Sequence, residues 1–224
     1  MLKNRNGLFI LINYFIGYFY LIPYLVISLS ELLNLKSSEL MEFVLVTLHL
    51  LLTLYLARKL LRKDAKKKLS FHKVFIYAVG VYFLAQVINI VCNLIIIMVN
   101  GDLMLGENET AVNSLIMTSP FLAIYMAAFF APISEELVFR GVLFKAFKHR
   151  YLAYFMGGVA FGLIHFMEII VDGFSVLKLL HVFPYIFVGL LFCKVYQETD
   201  NIYYSILSHI IFNSISLCLT FLLI

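Results

Sequence analysis

The chain has 224 residues, 63% hydrophobic and 13% charged, with a mean hydropathy of +0.97 and a formal net charge of +4 at pH 7. A soluble domain is about 45–50% apolar and about 25% charged, and one core of this length cannot hide so much apolar surface from water. The composition excludes a soluble globular enzyme, a disordered chain and a disulfide scaffold, and points to an integral membrane protein.

A helix crosses the hydrocarbon with about 20 apolar residues. In chain order the candidate spans are 7–30, 40–57, 74–99, 115–132, 134–147, 151–171, 177–197 and 202–224. The first follows Lys3 and Arg5, lacks a small-residue cleavage pattern, and reads as a retained span rather than a signal peptide. After the second, Arg58, Lys59, Arg62, Lys63, Lys66, Lys67, Lys68 and Lys73 stand against one acid, Asp64. Between two apolar runs such a cluster is a cytoplasmic loop with some attraction to anionic lipid, and not a nucleic-acid patch.

The third span carries Gln86, Asn89 and Asn93 at i, i+3 and i+7. Interhelical hydrogen bonding is the simpler use of such a stripe, and a substrate groove is the alternative. The loop 101–113 holds Asp102, Glu107 and Glu109 without a Lys or Arg, which places it outside; its Asn108-Glu109-Thr110 sequon is a pattern common by chance. The segments on either side of Pro132 are together too long for one simple crossing and too short for two. Counted as one helix broken near the proline, they give seven crossings, with eight apolar segments as the alternative. Seven crossings put the N-terminus, Lys145, Lys148 and Arg150 in the cytoplasm and the C-terminus outside the cell membrane. The expected fold is all-α: a polytopic transmembrane helix bundle, one membrane domain over residues 1–224. Cys92, Cys193 and Cys218 lie in apolar runs and form no redox or metal pattern.

Charges inside membrane segments are costly and mark functional candidates. The sharpest are Glu135, Glu136 and Arg140, within Ala131-Pro132-Ile133-Ser134-Glu135-Glu136-Leu137-Val138-Phe139-Arg140-Gly141. Pro132 suits the first turn of a helix, Ser134 is placed to cap it, and acids near a helix start are favoured by the dipole. Glu136 and Arg140 stand at i,i+4 in the better orientation for an ion pair. Glu135 lies about 100° around the helix, open to take a proton from water; the blander arrangement pairs both acids with Arg140. His165 sits in a later span four residues after Phe161, and His209 and Asn213 share one face of the last span. At about 1.5 Å per residue these groups fall at compatible depths. Together they suit either of two amide hydrolyses. A carboxylate and a histidine can activate water while a histidine and an amide hold the oxyanion. Alternatively, Glu135, His165 and His209 can hold a divalent metal such as zinc. His49, Glu168 and His181 are further polar residues with no assigned part.

Glu-Glu-x-x-x-Arg, then Phe-x-x-x-His, then His-x-x-x-Asn, each in a membrane span and in this order, resembles the CPBP family of intramembrane proteases. That family joins the CAAX prenyl endopeptidases to bacterial Abi-type proteins linked to bacteriocin processing and self-immunity. The resemblance covers about residues 114–213, an expected catalytic core. It implies that Glu135 activates water with help from His165, that His209 and Asn213 stabilise the oxyanion, and that Glu136 and Arg140 support the site. Members have been described as metalloproteases and as metal-independent glutamate proteases, so the cofactor is either a divalent metal or none. The expected partners are the bilayer and a peptide or membrane-protein substrate. The rival function is a non-catalytic immunity or sensor-regulating membrane protein, with a proton-coupled transporter third.

Overall fold

The computed structural model describes residues 5–35, 38–165 and 176–223; Glu168 lies outside them. Every regular element among the described residues is helical: α1 (Arg5–Leu32), α2 (Glu39–Asp64), α3 (Phe71–Asn100), α4 (Glu107–Thr118), α5 (Pro120–Ala146), α6 (Arg150–Ile164), α7 (Val176–Thr199) and α8 (Ile202–Leu223). Six of these, α1, α2, α3, α5, α7 and α8, are long and apolar enough to cross a membrane, and α6 is a shorter apolar helix. In the most apolar stretch of α5, 56% of residues are buried, against 22–28% in α1, α2, α3 and α8. The molecule is therefore a multi-pass helical bundle with α5 at its centre and lipid-facing helices around it.

The two segments expected on either side of Pro132 are one helix, with α4 set off before it at Ser119. Proline lacks an N–H, and its ring crowds the carbonyl four residues back, which normally kinks or ends a helix. Here α5 widens to π geometry over Tyr125–Phe130, just before Pro132, and again over Phe139–Leu143. The wider turn takes in the proline and the helix continues. The expected cap fails for the same reason: no helix starts at Pro132, and the Ser134 hydroxyl is buried without a partner among the described residues. Glu135 and Glu136 accordingly stand mid-helix, away from any terminal dipole.

A third π segment, Asn13–Leu21, lies in α1. At its start the Asn13 carbonyl accepts from His49 Nε2 on α2 (2.9 Å), and the Asn13 side-chain amide donates to Thr53 Oγ1 (2.9 Å). His49, unassigned in the sequence, thus pins α1 to α2. Packing of α6 on α7 depends on glycine. A Cβ on Gly162 would lie 2.2 Å from Ile186 Cγ1, and one on Gly158 would lie 2.4 Å from Leu190 Cδ2. Gly158-x-x-x-Gly162 is a small-residue contact of the kind that lets membrane helices approach closely.

At one end of the bundle the loop after α2 is tied to the turn between α7 and α8. Asp64 is buried; its Oδ2 accepts the Ile202 N–H (3.0 Å) at the start of α8, and its Oδ1 lies 3.2 Å from Lys67 Nζ. Lys67 also reaches Asp200 Oδ2 (2.8 Å), and the Ser70 N–H donates to the Tyr204 hydroxyl (2.8 Å). The hydrogen bond from Lys67 holds the Asp200 carboxyl below the usual carboxylate range. The stabilisation from that pair is present above about pH 4. It fades as acid carries the pH down through the lowered value. Asp64→Ala is expected to cost about 1–3 kcal/mol, because it strands the buried Ile202 N–H. Asp200→Asn, which keeps a side chain tolerant of the left-handed backbone there (φ 45°), removes an exposed pair worth at most about 1 kcal/mol. Thermal unfolding of the two purified variants in detergent checks the order.

Candidate active site

Arg140 is the largest fully buried side chain. Its guanidinium carbon lies 4.8 Å from the Phe161 ring centre, 5.6 Å from Phe192 and 6.0 Å from Phe139. Nη2 donates to the carbonyl of Gly189 on α7 (2.7 Å), and Nη1 lies 3.0 Å from Glu136 Oε1. The latter approach does not meet hydrogen-bond geometry, so it is a charge contact. This is the i,i+4 ion pair that the spacing suggests.

Glu136 is then fully engaged. Besides Arg140, its Oε1 lies 2.9 Å from His209 Nδ1, and its Oε2 accepts the Ser205 hydroxyl. A carboxylate at Nδ1 favours the proton there, which turns Nε2 toward the next group. That group is Glu135, whose Oε2 stands 3.9 Å from His209 Nε2. Glu135 is 6% exposed, and among the described residues His209 is its one partner within ion-pair range. Tyr14, Tyr18 and Tyr185 lie within its electrostatic reach. Two adjacent acids therefore occupy different settings, one saturated by partners and the other facing a histidine at a distance too long for a hydrogen bond.

His209 is stacked on Phe192, with ring centres 4.4 Å apart. His165 ends α6, stacked on Tyr185 (4.4 Å), and its Nε2 is buried without a partner among the described residues. Phe161 packs against both histidines, 5.2 Å from His165 and 5.8 Å from His209. Tyr185 is itself held by the side-chain amide of Asn108 (3.0 Å), so the sequon asparagine is occupied in joining α4 to α7.

Asn213 has a bond whose origin is in Pro132. In the π segment the Ala131 N–H bonds back five residues to the Met126 carbonyl. The same register would bring residue 132 to the Ala127 carbonyl, but proline has no N–H to give. The side-chain amide of Asn213 donates to that carbonyl instead (2.8 Å). One amide proton thus ties α8 to α5, and the second remains.

The structure brings Glu135, Glu136, Arg140 and His209 into one contiguous group. Asn213 stands one turn along α8, and His165 shares the Phe161 ring with His209. Sequence reasoning missed Ser205, Gly189, Phe192 and Tyr185; Ser205 was findable, since it precedes His209 by one helical turn on the same face. Gln86, Asn89 and Asn93 are half-buried on α3, and among the described residues none of them forms the expected interhelical hydrogen bond. Nor do three His, Cys, Asp or Glu side chains gather among those residues as a metal ion would require. Of the conditional set Glu135, His165 and His209, only Glu135 and His209 come within ion-pair range among the described residues. A three-ligand ion does not fit this arrangement.

Residues 117–215 match the family described as type II CAAX prenyl endopeptidase Rce1-like, nearly the interval over which the motifs run. UPF0177 protein YxdF of Lactococcus lactis subsp. lactis (strain IL1403) is 24% identical over 166 residues, covering 73% of this chain and 87% of that protein. A protein of Bacillus subtilis (strain 168) named "Putative membrane peptidase YdiL" is 29% identical over 112 residues, 49% of this chain and 41% of that protein. No solved structure matches.

Arg140→Ala is expected to lower the amount of inserted protein far more than Glu135→Ala, since it leaves Glu136 as a buried charge without its cation, a loss of about 3–5 kcal/mol. Quantitative immunoblots of membrane fractions compare them; equal abundance would contradict the ion pair's structural weight.

Proposed function

We propose that this membrane protein, whose residues 117–215 are Rce1-like, is an intramembrane endopeptidase with Glu135 as its general base. The observation that carries the proposal is the split between the adjacent acids. Glu136 is committed to Arg140, His209 and Ser205, whereas Glu135 faces His209 Nε2 at 3.9 Å. A buried carboxylate without a fixed cation is the one that can change its protonation state within a catalytic cycle.

In the proposed mechanism Glu135 takes a proton from a water molecule, and the water oxygen bonds to the scissile carbonyl carbon. The carbonyl electron pair moves onto oxygen. His209 at Nε2, when protonated, and the remaining amide proton of Asn213 donate to that oxyanion. His165 orients the water through its unpartnered Nε2. Collapse of the intermediate breaks the C–N bond, and the carboxylic acid of Glu135 returns its proton to the leaving amine. Glu136 holds the His209 tautomer, and Arg140 holds Glu136. No step runs through a metal.

Residues 114–213 are the proposed catalytic core within a single membrane domain. The basic stretch 58–73, which runs from the last turns of α2 through the connecting loop into the first turn of α3, supports a cytoplasmic N-terminus and, with seven crossings, an outside C-terminus. The proposed substrates are membrane-borne peptides: a peptide precursor, a bacteriocin leader or a CAAX-type protein. The competing function is a non-catalytic immunity or sensor-regulating protein that binds its target through the same cluster.

Comparing membrane peptides from cells carrying the wild type or Glu135→Gln separates the two. Glu135→Gln and His165→Ala are expected to insert at normal abundance, with cleavage down by about 100-fold or more for the glutamate variant. Full function in both variants would end the endopeptidase proposal. A second outcome concerns Tyr185. Tyr185→Leu, which removes the stack on His165, is expected to lower kcat several-fold with KM unchanged, and Tyr185→Phe is expected to restore most of it.

A further inference from the structure

Gln86, Asn89 and Asn93 fall within an arc of about 60° on α3, each about one helix turn from the next. That arc flanks the buried face made by Ala85, Cys92 and Ile96. Tyr82 begins the same flank one turn earlier, and its ring lies 5.7 Å from that of Phe212 on α8. Phe212 in turn lies 6.3 Å from His209. From the active-site cluster, then, the seam between α3 and α8 leads directly onto the amide stripe, which continues for about 10 Å toward the Asn100 end. Across the seam, Ser216 and Thr220 are half-buried and donate their hydroxyls to their own helix, at 3.2 and 3.0 Å.

Three side-chain amides in a membrane helix that find no hydrogen-bond partner among the described residues are costly, because hydrocarbon supplies none. Their position on one flank beside the site points to a partner that arrives with its own unpaired polar groups. We infer that Gln86, Asn89 and Asn93 form a substrate-binding rail that hydrogen-bonds the backbone of an extended, membrane-borne peptide and leads it to Glu135. The dimensions agree. An extended strand repeats its like-facing residues every 6.4–6.8 Å or so, and about 10 Å of stripe matches three successive residues with their N–H and C=O groups. A peptide unwound for cleavage in the bilayer loses its helical hydrogen bonds, and amides carrying both donors and acceptors replace them without regard to side-chain sequence. All three residues lie outside the Rce1-like interval 117–215, so the rail belongs to the portion of the chain that surrounds the core.

The inference rests on the endopeptidase proposal, and its test separates the two. Asn89→Leu, Asn93→Leu and Gln86→Leu are made singly and together, and cleavage of a peptide found to depend on Glu135 is followed in proteoliposomes. The expected result is a KM raised about tenfold in the triple variant with kcat nearly unchanged, and recovery in Asn89→Gln. The thermal midpoint should stay the same or rise, because no hydrogen bond among the described residues is lost. A benzophenone side chain at position 89 of the Glu135→Gln protein is expected to cross-link the peptide that accumulates in that strain, whereas one at the lipid-facing position 91 does not. An unchanged KM, a lowered midpoint, or cross-links to a second copy of the chain instead of the peptide would each overturn the rail. Cleavage that persists in Glu135→Gln with the stripe intact would overturn the endopeptidase proposal itself.

Discussion

A fully buried arginine in a membrane protein needs a counter-charge. Around Arg140 that need organises much of the structure. Removing a guanidinium and a carboxylate from water costs several kcal/mol per ion, which only close pairing and further hydrogen bonds offset. Glu136 supplies the charge from the same helix, and the Gly189 carbonyl takes another donor from α7. Ser205 and His209 complete the carboxylate from α8. Three helices thus meet at one ion pair, and the aromatic rings of Phe139, Phe161 and Phe192 close the space around it. Because His209 is part of this arrangement, the ring presented toward Glu135 is oriented by the group that neutralises Arg140.

Irregular backbone does comparable work elsewhere in the bundle. Pro132 removes one N–H, the π turn absorbs the ring, and the orphaned Ala127 carbonyl finds Asn213 on another helix. In α1 the start of a π segment offers the Asn13 carbonyl to His49 on α2. In both places a backbone acceptor is satisfied between helices, where hydrocarbon would leave it unpaired. Gly158 and Gly162 act by a different route, letting α7 approach α6 closely enough to set Tyr185 on His165.

The proposed rail adds a direction to this site. The carboxylate of Glu136 is met by Arg140, His209 and Ser205, whereas the three amides of the α3 stripe form no hydrogen bond among the described residues. Buried amides and hydroxyls usually find a protein partner, and three half-buried amides on one flank that find none among the described residues mark the part of the bundle suited to a visiting backbone. The core and the rail also lie in different parts of the chain, the first within residues 117–215 and the second on α3.

Composition and loop charge alone determined that the chain crosses a membrane many times, since 63% hydrophobic residues exceed what one soluble core can bury. Helical spacing likewise determined the Glu136–Arg140 pair, because i,i+4 contacts are local. What spacing could not reach was any contact between helices. Pro132 suggested a break and Ser134 a cap, and both expectations failed because a π turn depends on the neighbours that satisfy its carbonyls. Glu135, His165 and His209 looked like a possible ligand set because depth along a helix says nothing about azimuth; among the described residues tertiary packing brought only Glu135 and His209 within ion-pair range. The stripe on α3 was legible as polar, but whether its amides were paired was decided only by which helix lay opposite. Periodicity is a property of one segment, whereas partnership in a membrane is a property of two.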